Sequence, residues 1–123
     1  MRSSLEKSDT RAKIMIDIVA KVACHVAGVT VNELRSSACT HRITRARFIF
    51  VDLCSGVVSP LSMVSDYLSK NNSMIAYYKR SHNEYYSIYK DFRELSDKAD
   101  RILTDLLTNI NGTFEDVFQK EEQ

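Results

Sequence analysis

The sequence predicts an all-α fold, and three observations carry that prediction. Only three glycines and one proline interrupt its 123 residues. Apolar residues recur at steps of three and four, the period at which one side of a helix repeats. Strand-like alternation is scarce, and clusters of polar, turn-forming residues separate the periodic segments.

Each element follows in order. After a polar N-terminal tail (1–10), Ile14, Ile18, Val22 and Cys24–Val26 predict a first helix over about 11–27, with Gly28 at its C-terminal cap. Thr30 opens a short second helix, and Glu33 three residues later completes a capping box. A basic loop, Ser36 to His41, leads into a third helix over about 42–54, with Ile43, Ala46, Ile49/Phe50 and Leu53 on its apolar face. Gly56 is expected to end it. Ser59-Pro60 has the chemistry of a helix start, Ser as N-cap and Pro at the first position. It predicts a fourth helix over about 60–68 that buries Leu61, Val64 and Leu68 or their neighbours. The polar turn Ser69–Asn72 then gives way to a helix beginning at Ser73, with Asn72 as its cap. No glycine or proline follows before Gly112, so this last helix is expected to run for nearly forty residues.

Along it, Ile88, Phe92, Leu95, Ala99, Ile102, Leu106 and Ile110 approximate a coiled-coil seam. Such a stripe needs a surface to pack on. It folds back on its own domain, or it joins a second copy as a homodimer through Ile88, Phe92, Leu95, Ile102 and Leu106. The organisation read from these elements is a tail (1–10), a helical domain (11–95) and an acidic helical extension (96–123).

Apolar residues make up 44% and charged residues 27%, ordinary values for one compact domain. Cys24, Cys39 and Cys54 are too few and too oddly numbered for a disulfide framework, so reduced thiols in a cytoplasmic protein are expected. No apolar run reaches the roughly 18 residues of a membrane span. The segment MRSSLEKSDTRAK is polar and mixed in charge, unlike a secretory signal.

The net charge of +1 conceals an uneven distribution. Residues 1–90 hold 13 Lys/Arg and 7 Asp/Glu, a balance of +6, whereas residues 91–123 hold 4 and 9, a balance of −5. Leu34–Val51 contains Arg35, Arg42, Arg45 and Arg47 and no carboxylate; Tyr67–Asn83 contains Lys70, Lys79 and Arg80 and no carboxylate. Two basic windows before an acidic end point to a body that faces a polyanion.

Signs of catalysis are missing. Three scattered glycines cannot build a phosphate-binding loop. His25, His41 and His82 lack the paired spacing of zinc ligands, and no nucleophile elbow or metalloprotease motif occurs. The chain is expected to be no enzyme and to need neither cofactor nor metal.

Helix, tight polar turn and helix over 60–73 onward match a helix-turn-helix in length and polarity. The start of its second helix, Asn71, Asn72, Ser73 and Met74 with Tyr77 one turn on, would face the major groove. Asn can pair with adenine, Ser can donate or accept, and Met can touch a thymine methyl. Lys70, Lys79 and Arg80 would neutralise neighbouring phosphates.

From about Arg11 to Arg80 the sequence resembles the C-terminal DNA-binding domain of the bacterial replication initiator DnaA, of Trp-repressor-like fold. VAKVACHVAGVTVNELRSS is similar to the family's first two helices and the step between them. ITRARFIFVDLC looks like its third helix, and SPLSMVSDYLSKNNSMI like its helix-turn-helix. The resemblance implies double-stranded DNA as partner, in a replication-related or transcriptional regulatory role. It places Arg45 and Arg47 on phosphates, gives Lys70 the charge of the signature Arg, and makes Ser73 a base reader. Asn71, Asn72, Met74 and Phe48 depart from the family's Asp, His, Thr and Gln. Cys39 stands where the family inserts an Arg into the minor groove, with Arg42 near enough to substitute. The expected clamp is therefore Arg42, Arg45, Arg47, Lys70 and Lys79 around the Ser73 helix. The alternative is a protein-interaction module that keeps the fold without binding DNA, which the acidic end and the seam favour.

Overall fold

The computed structural model describes the backbone of residues 2–109 and the side chains of residues 10–109. The predicted seam position Ile110 lies outside them. Six helices and no strand make up the described residues: α1 (Arg2–Ala27), α2 (Val31–Leu34), α3 (His41–Val57), α4 (Ser62–Leu68), α5 (Asn72–Ile88) and α6 (Lys90–Thr108). The all-α expectation holds. None of these helices is long and apolar enough to cross a membrane.

α1 begins at Arg2, well before the start expected near Arg11. The early residues carry no apolar period, yet they contain no residue that breaks a helix. At the other end Gly28 adopts φ +73°, a left-handed conformation that costs glycine little, and its N–H donates to the Cys24 carbonyl at 2.9 Å. The capping box of α2 forms as predicted. Glu33 N–H donates to Thr30 Oγ1 at 3.0 Å, and Thr30 N–H to Glu33 Oε1 at 2.9 Å.

Two boundaries differ from expectation. α3 continues through Gly56 to Val57, where a glycine inside a helix costs only about 1 kcal/mol. α4 starts at Ser62 behind Leu61, without a side-chain cap, so Ser59 does not cap it; the Ser59–Pro60 peptide is cis. Leu61, expected inside, is exposed, while Val64 and Leu68 are buried as predicted.

The largest difference lies at Tyr89. The expected single long helix is broken there by one extended residue (φ −106°, ψ 114°), which ends α5 and opens α6. Neither proline nor glycine causes the break. Arg93 fixes it by donating from Nε to the Tyr86 carbonyl at 2.9 Å and from Nη2 to the Ser87 carbonyl at 3.2 Å, two groups that a helix end leaves without partners. The corner turns α6 back onto α1 and α3, burying Phe92, Ala99, Ile102 and Leu103. Each large side chain so buried contributes about 1.5–3 kcal/mol, more than one extended residue forfeits.

The seam therefore packs within the chain. Phe92 and Ile102 are fully buried in the chain's own core, and Leu95 and Leu106 are partly buried and pack against it. Among the described seam positions, only Ile88, at 67% exposure, remains outside. The core they join is built from Ile16, Val19 and Ala23 of α1 with Ile49, Phe50 and Leu53 of α3.

No disulfide links the three cysteines: Cys24 and Cys54 are buried and Cys39 is exposed. Burial, with Glu33 nearby as a lesser cause, raises the Cys24 thiol to about 11, and burial pushes Cys54 up as well. A thiol reagent at about pH 8 should therefore label Cys39 at once, and the other two only as fast as the chain unfolds. Labelling of all three at one rate in the folded protein would contradict this packing.

Candidate nucleic-acid interface

α4 and α5 meet at a short turn whose geometry its own residues impose. Ser69 sits in the left-handed region (φ 55°), which reverses the chain at the end of α4. Lys70 N–H donates to the Ser65 carbonyl at 3.0 Å, and Ser65 Oγ donates to the Lys70 carbonyl at 2.6 Å. Beneath this clasp Val64 and Leu68 are buried with Ile75 and Tyr78. Asn71, not Asn72, caps α5, its Oδ1 accepting from Met74 N–H at 2.8 Å. The first turn of α5 contains no carboxylate.

The predicted contact residues divide into two groups. Asn71, Asn72 and Ser73 are exposed, Tyr77 stands 47% exposed one turn further, and Lys70 is half-buried beside them. Met74 is partly buried and packs against the core, so its side chain supports the helix more than it presents a surface. Arg42 is exposed near the start of α3, its Cδ lying 3.9 Å from where a Cβ on Gly28 would stand.

The second group makes contacts within the fold. Arg47, expected on a phosphate, is 1% exposed. Its Nε donates to the Leu34 carbonyl at 3.0 Å and Nη1 to that of Ala38 at 2.7 Å. Nη2 reaches the carbonyls of Ser36 at 2.6 Å and Glu33 at 3.3 Å. The guanidinium fork thus supplies the donors that the end of α2 and the following loop require. Arg45 donates to Asp91 Oδ2 at 3.0 Å across the corner, its side chain 15% exposed. Its buried Nε has no hydrogen-bond partner, but the guanidinium lies over the Phe92 ring at 5.4 Å, where the ring face offsets lost solvation. Lys79 donates to Asp52 Oδ1 at 2.6 Å and to Ser55 Oγ at 3.0 Å. Arg47 is thereby corrected from clamp to scaffold, while Arg45 and Lys79 are engaged by Asp91 and Asp52. Arg47 was legible in part, since Ile43, Arg47, Phe50 and Cys54 share one helical face and all four are buried.

Two features escaped sequence reasoning because they join distant segments. Arg35 stacks on the Tyr67 ring at 4.4 Å and donates from Nε to the Tyr67 carbonyl at 3.0 Å, bringing a cation to the end of α4. His82 ties three helices together. Its Nδ1 faces Asp52 Oδ1 at 3.4 Å and Asn83 Oδ1 at 3.3 Å, both acceptors, so Nδ1 carries the proton and Nε2 accepts from Ser96 Oγ at 2.7 Å. Hydroxyl, imidazole and carboxylate follow the order of an acyl-transfer triad. Ser96, however, lies mid-helix, where backbone N–H groups are already bonded along α6, and Asp97 and Asp100 line the same cleft. That surrounding opposes a developing oxyanion.

Comparison with protein-family models, curated proteins and solved structures finds no match to this chain.

Proposed function

We propose that this chain is a non-enzymatic helical module that binds double-stranded DNA through a helix-turn-helix formed by α4 and α5. The observation that carries the reading is the exposed, carboxylate-free first turn of α5, set at the end of a rigid turn with Lys70 beside it. Asn72 and Ser73 have the donors and acceptors to read base edges, and Tyr77 can lie against a sugar or base. Lys70, Arg80 and Arg42 would contact phosphates, helped by the positive end of the α5 dipole. Arg45, Arg47 and Lys79 act indirectly, by holding α3, α5 and the α2–α3 loop in place. The resemblance to the DnaA C-terminal domain supports the same face and a replication-related or regulatory setting.

The internal use of Arg45 and Arg47 favours a second reading, in which the fold serves a protein partner and DNA contact is lost. Salt titration of binding to a random duplex separates the two. Affinity should fall steeply with salt, and Lys70→Ala should lower the slope of log K against log salt by about one, as expected for one phosphate contact. Absence of duplex binding even at low salt would leave the protein-partner reading in its place.

A further inference from the structure

We infer that the outer face of α5 pairs with the same face of a second copy of this chain, the two helices running antiparallel about a two-fold axis level with His82. Such a dimer forms without nucleic acid and is independent of the DNA-binding reading.

α5 rests on the core through Ile75, Tyr78, Ser81 and His82, which leaves its opposite side to solvent. Ser73, Tyr77, Arg80, Glu84 and Ser87 follow one another there at steps of four and three, the spacing of a helix–helix seam, with Ile88 beside the last of them. All six are exposed. Tyr77 at 47% and Ile88 at 67% are among the most exposed large apolar side chains of the described residues. Ala76 and Ser87, both exposed and small, stand where a second helix needs room to approach.

Charge decides the occupant and its direction. Arg80 and Glu84 lie one turn apart between the two apolar ends, and neither side chain bonds within the described residues. In a two-fold dimer a patch must be complementary to itself. Antiparallel pairing about position 82 sets Arg80 against Glu84 of the second copy, and Glu84 against Arg80 of that copy. At about 1.5 Å per residue, Tyr77 and Ile88 stand roughly 8 and 9 Å from the axis on opposite sides, so each tyrosine ring meets an isoleucine of the other copy. Parallel pairing would bring Arg80 onto Arg80 and Glu84 onto Glu84, like charges in contact. A uniformly basic partner would repel Arg80 and a uniformly acidic one Glu84, whereas the same face satisfies both. One helix a side covers less than the roughly 1,000 Å² of a stable interface, so the dimer is weak, with Kd on the order of 100 µM. Tyr77 and Arg80 take part in it, so they are open to a duplex only in the separate chain.

Sedimentation equilibrium of the full chain without nucleic acid tests the pairing. Between about 10 µM and about 1 mM, the mass should rise from that of one chain towards that of two. Ile88→Ala should weaken the dimer about tenfold, since the side chain is covered twice in it. Arg80→Glu and Glu84→Arg should each weaken it by about the same factor, because each sets two pairs of like charges together. Arg80→Glu combined with Glu84→Arg should restore the parent's affinity, since the register re-forms both pairs; a residue that merely supports the fold gives no such rescue. A chain that stays single at about 1 mM overturns the inference and leaves the face to nucleic acid or to a different protein. A dimer that the single substitutions leave unchanged, or that the combined exchange fails to restore, overturns it as well. Neither outcome touches the DNA-binding reading, which the salt titration of duplex binding decides.

Discussion

Arg47→Ala is expected to destabilise the protein by about 3–4 kcal/mol, a large share of the 5–15 kcal/mol typical of a domain. Four carbonyl oxygens, those of Glu33, Leu34, Ser36 and Ala38, accept from this guanidinium. Hydrogen bonds to a charged donor contribute about 1.5–3 kcal/mol each. The total is smaller than four such bonds because Glu33 and Ala38 are exposed, and water can reach part of the vacated site. Arg47→Met retains the volume and should still lose most of this stability, because the acceptors remain unpaired. Arg47→Lys should recover less than half, since a compact ammonium cannot span a loop that a planar fork bridges. Urea unfolding is the measurement: midpoints for Met and Lys equal to the parent's would mean that Arg47 is not the clasp of the α2–α3 loop.

Phe92→Ala should cost about 3–5 kcal/mol, the range for removing a buried aromatic ring. Phe92 is fully buried, with Phe48 at 6.4 Å, Tyr85 at 5.5 Å and His82 at 5.4 Å between ring centroids, and Arg45 over its face. Its loss opens a cavity where α3, α5 and α6 meet. Ile88→Ala, on the same heptad stripe but exposed, should change stability by no more than about 0.5 kcal/mol. Because the ring is covered by its own chain, the cost should be the same at every protein concentration. A penalty that varies with dilution would instead assign the contact to a second chain.

The sequence determined the local features whose cause is local. The all-helical class follows from apolar period and the scarcity of Gly and Pro. The Thr30–Glu33 box and the Gly28 cap follow from groups within four residues of each other, as does the turn after Leu68. These held because a capping oxygen and the N–H it accepts from are neighbours in the chain. Tertiary structure decided where a long-range contact outweighed local preference. A favourable N-cap signal at Ser59-Pro60 gave way to the packing of α4, and a break-free run of good helix formers was bent at Tyr89 so that Phe92 and Ile102 reach the core. The same holds for the candidate site. The exposed start of α5 was legible, because caps and polar turns mark surfaces. The partners of the arginines were not, even where the buried face of α3 hinted at Arg47, because Arg45 finds Asp91 and Arg47 finds Leu34 only once α3 has been placed between them. Charge can be counted along a chain, but whether a guanidinium meets solvent or a carbonyl depends on which backbone ends the fold leaves without partners.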